Sequence, residues 1–425
     1  NKLVILHYMR IVLDKFELFL LCFIAFVIPV SIKFSSVPMI LLFIIALLKK
    51  DNHPYLIKAL KSPSFYILII PYIFLWLGLL NSENIDTGLT YIIRASSLVL
   101  FPVIFAAFQS NKAKYKNELI FSSFILGVLV LYIICLNHAI PVYLAKKDYN
   151  VFFYQEFSEV VTGPHHMSYF VIFALVILIS NLLERTSLPL YKKRYLWLKV
   201  FLILIFSVFL FQLSSKATII LYILISFFVI VFSLYKKLIS LKIAIPIVVL
   251  TFAIITFGLS TDKAQLRFLN LKKGLQSQNN IDHKSQESTV LRIVAYKAGG
   301  DLIKNNFWFG VGTGDIIQEL DKFYLENDYQ KAYALHTDPH NQFVRTFASN
   351  GVFAFLGLVS IFVLIFYKAI RKKHFLLLLW GLICLVLFNV EDMFSYQRGV
   401  MFFSFFTSYF IFNLDLSNNN QSIKT

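Results

Sequence analysis

The chain has 425 residues, 58% of them hydrophobic and 15% charged. Soluble proteins carry about 45–50% apolar residues, so a water-soluble globule is excluded, and 46 phenylalanines and 22 tyrosines suit lipid contact and interfacial anchoring. The formal charge of +17 would fit a nucleic-acid binder, but the placement of the lysines and arginines decides otherwise.

About 20 apolar residues cross a bilayer as a helix. By that measure twelve stretches are candidate spans: 15–33, 37–48, 64–80, 88–108, 118–137, 165–183, 196–212, 217–235, 242–260, 342–367, 374–391 and 399–414. The run Phe16–Ile32 is long and lacks a small-residue cleavage site, so it is expected to be a retained span rather than a signal peptide. Cys22, Cys135 and Cys384 lie inside apolar runs, which argues against a disulfide framework.

Lysines and arginines crowd the loops after even-numbered spans: Lys49 to Lys61, Lys112 to Lys116, Arg185 to Lys199, Lys236 to Lys242, and Lys368 to Lys373. The short loops after odd-numbered spans hold only Lys33, Lys146, Lys147, Lys216 and Arg398. Basic loops stay on the cytoplasmic side, so both termini are expected there. The basic excess is then a topology signal, and no nucleic-acid partner is expected. The fold class is an all-α polytopic membrane protein of about 12 transmembrane helices, with a large external loop between spans nine and ten. The expected division is 1–260 for spans one to nine, 261–341 for the external subdomain, and 342–425 for spans ten to twelve with a cytoplasmic tail.

The segment 261–341 carries ten basic and ten acidic residues, as a folded polar subdomain would. Its middle, Gln276–Ser288, is polar. Ser288–Asn305 has helical spacing through Val290, Ile293, Val294, Lys297, Ala298 and Leu302. FWFGVGTGD then turns on Gly310, Gly312 and Gly314. It lacks the strand before and the βαβ unit after that a nucleotide-binding glycine loop needs, so it reads as a turn. No internal repeat is visible.

The segment closes on HTDPHNQFVRTFASNG, His336 to Gly351. Asp338-Pro339 predicts a helix start, with Asp338 as N-cap, which places His340 and Asn341 in the first helical turn at the external membrane boundary. A helix N-terminus disfavours imidazolium and would keep His340 neutral, able to accept a proton. His336, Asp338 and His340 could instead be metal ligands, but spacing alone is weak support, and no metal is expected. Arg94 lies inside the fourth span, where a charge is a functional candidate unless it snorkels to the nearby external end. Lys216 ends LFQLSSK at an external turn, a cation that could face a phosphate or simply sit at the interface. Arg292 alone would be an ordinary surface arginine. His165 and His166 in TGPHHMSYF follow a proline at another external helix start. As adjacent helical residues they point apart, so one could face a polar cavity and a zinc site is improbable. Glu391 and Asp392 end span eleven; they are a fallback base, or a solvated loop end.

Taken together, several blocks resemble the bacterial O-antigen ligase and O-antigen polymerase superfamily. PHNQFVRTFASNGVFAFLGL is similar to its signature of a Pro/His-His-Asn start followed by a helix and a glycine. LRIVAYKAGGDLIKNNFWFGVGTGD resembles the preceding block of arginine, helix and glycine turn. LSSKATIILY, GPHHMSYF, RASSLVLFP and EDMFSYQRGVMFFSFF resemble further blocks in the same order. The resemblance implies a GT-C-like fold, an inner-membrane location with a periplasmic active site, and an undecaprenyl-pyrophosphate-linked glycan as donor. It implies His340 as catalytic base with Asn341 beside it, and Arg292 and Lys216 on the donor pyrophosphate, to which Arg94 adds charge. Lysine at 216 stands where ligases often have arginine and cannot form a bidentate grip on phosphate. His336 lies farther from His340 than in many ligases.

The expected activity is ligase-type transfer of glycan to a lipid A–core acceptor, without cofactor. Chain polymerisation and transfer to protein hydroxyls share the same donor chemistry. A lipid-linked oligosaccharide flippase would show internal repeats and charges at midmembrane; here the notable polar residues cluster at the external boundary, which favours an enzyme.

Overall fold

The computed structural model describes residues 2–111, 117–183, 196–235 and 288–419, together with Leu269. Among the described residues all regular structure is helical: α1 (Lys2–Val30), α2 (Ser36–Leu48), α3 (His53–Ala59), α4 (Pro63–Leu79), α5 (Ile85–Arg94), α6 (Ser97–Ala107), α7 (Asn117–Lys146), α8 (Tyr154–Ser158), α9 (Pro164–Leu183), α10 (Leu196–Gln212), α11 (Lys216–Tyr235), α12 (Ser288–Asn305), α13 (Ile316–Glu326), α14 (Gln330–Ala334), α15 (Gln342–Arg371), α16 (Phe375–Val390) and α17 (Gln397–Asn419), with short 3-10 turns between. An apolar run in lipid has to bond its own backbone groups, and a helix does so within one segment. The helices mark a multi-pass membrane protein.

Twelve spans are not shown. The ninth stretch, 242–260, lies outside the described residues, as does most of the polar stretch Gln276–Ser288. Among the described residues four stretches are long and apolar enough to cross a membrane: Ile85–Ala107, Glu118–Lys146, Pro164–Leu182 and Gln342–Arg371. A fifth is added if Ile32–Leu48 and Lys50–Ala59, bent by 78°, make one span. The fourth expected span is divided between α5 and α6, with Arg94 closing α5.

The chain forms two compact units, 1–56 with 106–261 and 57–105 with 262–425. In the first, α1 packs along α7, and α9 packs on α7, α10 and α11. Residues 167–178 of α9 are buried on every side, as expected of a helix that is apolar all round. Lys49 Nζ lies 2.7 Å from both Asp14 Oδ1 and Glu17 Oε1, tying α1 to the end of α2 through a buried charge cluster.

In the second unit α15 packs between α4 and α16. Val294, Ala298, Leu302, Ile316, Leu320, Tyr324, Ala332 and Ala348 form a small core that joins α12, α13 and α14 to the start of α15. The turn 307–314 fastens this subdomain to the helices. Val311 N–H and Gly312 N–H donate to Ala348 and Ser349 carbonyls, Thr313 N–H to Gly78, Gly314 N–H to Ser82 Oγ, and Val352 N–H to Phe307. The amides of the glycine-rich turn are therefore spent within the protein, and it is a structural clasp rather than a phosphate cradle. Helix α15 is broken where the clasp meets it: Gly351 has φ 78 and ψ −177, a region essentially reserved for glycine, with the Trp308 carbonyl where a Cβ would stand.

Candidate active site

Three segments of the second unit meet here: the turn Thr337–Asn341 before α15, the segment Glu391–Tyr396 between α16 and α17, and the beginning of α12. The turn departs from the sequence expectation. Helix α15 starts at Gln342, and its N-cap is Asn341, not Asp338. Asn341 Oδ1 accepts from Phe343 N–H at 2.9 Å and Val344 N–H at 3.1 Å. Asp338 uses its side chain two residues ahead, accepting His340 N–H at Oδ1 at 2.9 Å, so it forms an Asx turn instead of a cap. His340 is left outside the helix in a left-handed conformation, φ +45. The conformation is uncommon for a non-glycine residue, though histidine adopts it more readily than most.

This turn directs the His340 ring at α16's end. Its Nδ1 lies 3.4 Å from Glu391 Oε2, and Arg292 Nη2, from α12, lies 3.4 Å from the other oxygen, Oε1. Glu391 is buried, while His340 and Arg292 each keep about a third of their side chain exposed. Burial works against the imidazolium, but the hydrogen bond with Glu391 and the charges of Asp338 and Glu391 outweigh it, with Arg292 opposing. The net effect raises the pKa of His340 above its ordinary value. The expectation that a helix N-terminus keeps it neutral is thus corrected: the ring is not in the helix, and its nearest charges are carboxylates. Asn341 is also part of this corner, its Nδ2 donating to the Asn389 carbonyl at 3.3 Å, which Tyr296 Oη reaches from α12 at 3.1 Å.

Behind His340 lies a buried polar cluster in which sequence reasoning singled out Asp338 and Asp392 separately but missed Arg345. Arg345, on the first turns of α15, places Nη1 3.3 Å from Asp392 Oδ2 and 3.8 Å from Asp338 Oδ2, with its guanidinium 5.1 Å from the Tyr91 ring of α5. Asp392 is fully buried, also accepts from Ser395 Oγ, and leaves Oδ1 with no hydrogen-bond donor. Burial and the nearby Asp338 push its pKa up to about 8 against the pull of Arg345 and Ser395. The missed signal was Arg345 itself, a charge inside the expected tenth span, where charges are costly and demand partners. Asp338, His340 and Asp392 each offer a donor atom within 4.8 Å of the others, a spacing that would admit a cation. The guanidinium of Arg345 already lies against both carboxylates, so we assign no metal there.

The other candidates divide. His336 is turned away from the cluster and pairs with Asp321 Oδ2 at 2.6 Å on the exposed side of α14, against the Tyr333 ring. Arg94 is exposed at the end of α5, with no carboxylate or hydrogen-bond partner among the described residues. Lys216, His165 and His166 belong to the first unit. There His165 Nδ1 lies 3.3 Å from Ser215 Oγ, and His166 stands edge-on to Tyr169. Lys216 opens α11, and its side chain lies outside the described residues.

No curated protein matches the chain. Residues 200–359, which contain Lys216, Arg292, the His340 turn, Arg345 and the break at Gly351, match the family model of the O-antigen ligase. That segment is therefore similar to the O-antigen ligase family, and the similarity takes in the corner around His340.

Proposed function

We propose that the protein is an inverting glycosyltransferase of the O-antigen ligase type. It moves glycan from undecaprenyl pyrophosphate to a lipid A–core acceptor on the periplasmic face of the inner membrane, with 261–341 as its external subdomain. The observation that carries this reading is His340, held outside the helix against Glu391 within the family-matched segment. With Nδ1–H donated to Glu391, Nε2 keeps a lone pair for the proton of the attacking hydroxyl, the arrangement by which a carboxylate fixes a basic histidine.

The acceptor oxygen attacks the anomeric carbon as its proton passes to His340. The bond to pyrophosphate breaks on the opposite face, and the electron pair leaves with the pyrophosphate, so the anomeric centre inverts. A positioned base contributes about 10²–10⁴-fold. The departing anion needs positive potential, which Arg292 supplies by exchanging Glu391 for phosphate oxygens, with Arg94 of the same unit as a further cation. The reaction calls for no cofactor, since the pyrophosphate is already a good leaving group.

His340→Ala should abolish surface glycan while leaving membrane expression intact; normal glycan in that strain would sink the assignment. Deleting the gene separates ligase from polymerase on a lipopolysaccharide gel. Loss of every glycan-bearing band supports the ligase, whereas a persisting single-repeat band means a polymerase.

A further inference from the structure

We propose that Asp392 and Asp338 share one proton, and that this buried pair is a positioning unit which sets the charge state and placement of the base His340. The inference rests on the role of His340 given above.

Asp392 has no exposed surface, yet its Oδ1 meets no donor. Its other oxygen already takes Arg345 and Ser395. A buried carboxylate oxygen without a donor is costly, and the neighbouring Asp338 is another carboxylate, an oxygen of which lies within 4.8 Å of an Asp392 oxygen. Two acceptors facing each other become a hydrogen bond once one of them carries a proton.

Counting charge leads to the same place. The groups that face this pocket are Asp338 and His340 from the turn, Arg345 from α15, Tyr91 from α5, Arg292 from α12, and Glu391, Asp392 and Tyr396 from the segment after α16. Among the described residues three carboxylates stand against two guanidiniums when His340 is neutral. Buried clusters avoid uncompensated charge, which favours one proton here, seated on His340 or on the carboxyl pair. A proton on His340 would disable the base. A proton on Asp392 leaves the base free and removes the repulsion that would drive Asp338 away. Both seats are pushed up, His340 by its carboxylate neighbours and Asp392 by burial and Asp338; geometry favours Asp392, whose Oδ1 meets no donor while the His340 ring already faces Glu391. Asp338 in turn holds the His340 amide, so the state of the pair reaches the ring through the turn that aims it. Loss of the shared proton sets two carboxylates against one guanidinium and loosens that turn.

The test is infrared difference spectroscopy of the full chain in nanodiscs as pH rises. A deuterium-sensitive C=O band from a protonated carboxyl should be present at neutral pH, fade with a midpoint near 8, and be missing from Asp392→Asn. Absence of the band from the wild type, or its survival in Asp392→Asn, overturns the proposal. So does its loss at neutral pH on adding magnesium or zinc with recovery on chelation, because the pair would then be a cation seat. The wild-type band needs no variant, so the test survives if Asp392→Asn folds poorly. A second arm measures transfer against pH, with lipid-linked glycan extracted from the host as the donor probe. The wild type should lose turnover toward alkaline pH, and Asp392→Asn should lose that alkaline limb. A His340→Ala variant that still transfers glycan refutes the base role. Inactive His340→Ala with an unchanged alkaline limb in Asp392→Asn refutes the shared proton alone.

Discussion

Asp392→Asn should make the folded protein more stable, and by more as pH rises. Burial and Asp338 push the pKa of Asp392 up to about 8, whereas an unfolded aspartate loses its proton near 3.9. Folding at neutral pH must therefore take up a proton, at about 1.36 kcal/mol for each unit above the unfolded value. The sign follows from a raised folded pKa: the stability from this proton is complete below the ordinary carboxyl range and is lost as pH rises to about 8. The loss is on the order of 1 kcal/mol at pH 5 and a few kcal/mol at pH 7, and it levels off above pH 8. Asparagine is neutral in both states and avoids it. Its amide keeps the shape, with Nδ2 facing Asp338 and Oδ1 accepting from Arg345. The assay is thermal unfolding of the purified full chain in one detergent at acid, neutral and alkaline pH. At roughly 2 °C or less per kcal/mol for a protein larger than about 250 residues, the variant should unfold several degrees higher at pH 7 and within a few degrees of wild type at pH 5. A difference that does not change with pH, or a variant less stable than wild type at alkaline pH, would refute the reasoning.

Arg345→Ala removes the one guanidinium between Asp338 and Asp392. It should cost about 3–5 kcal/mol, the usual penalty for stranding a buried charge. The same unfolding assay should show a larger loss at alkaline than at acid pH, where protonation relieves the carboxylates. Gly351→Ala places a Cβ against the Trp308 carbonyl at a φ that L side chains avoid. It should cost about 1–3 kcal/mol in backbone strain alone and unclasp the 307–314 turn, read as faster proteolysis within that turn. Arg292→Lys keeps the charge but loses the fork that matches phosphate oxygens. It should raise the KM for the lipid-linked donor with a smaller effect on kcat, and an unchanged KM would remove Arg292 from the donor site.

Much of the architecture was legible because lipid leaves an apolar run few choices. Ser288–Asn305 is the helix its spacing indicates, and the 337–341 corner, Arg292 and Glu391 do meet. The break inside Gln342–Arg371 was hidden, since hydropathy reads through a glycine and only the φ of Gly351 reveals it. The cap was misplaced for a local reason. Asp338 and Asn341 are both good N-caps, and pattern alone cannot tell which one spends its oxygen on a turn instead. Arg345 and Asp392 were readable only as a pair from distant segments, and sequence spacing carries no such pairing.

The misplaced cap changes the chemistry that follows. With Asp338 as cap, the first amides of α15 would have been available to a phosphate, as helix N-termini often are. With Asn341 as cap, the Phe343 and Val344 amides are occupied by its Oδ1, and the His340 amide by Asp338. The positive potential for the leaving pyrophosphate then falls to side chains, of which Arg292 is the one held beside His340, through Glu391. In the proposed reaction Glu391 would link the base to the donor cation. Arg292 opposes the charge on His340; turning to phosphate would weaken that opposition and strengthen the base. Donor binding would thereby sharpen the group that activates the acceptor, an order of events built from two contacts of 3.4 Å on one carboxylate.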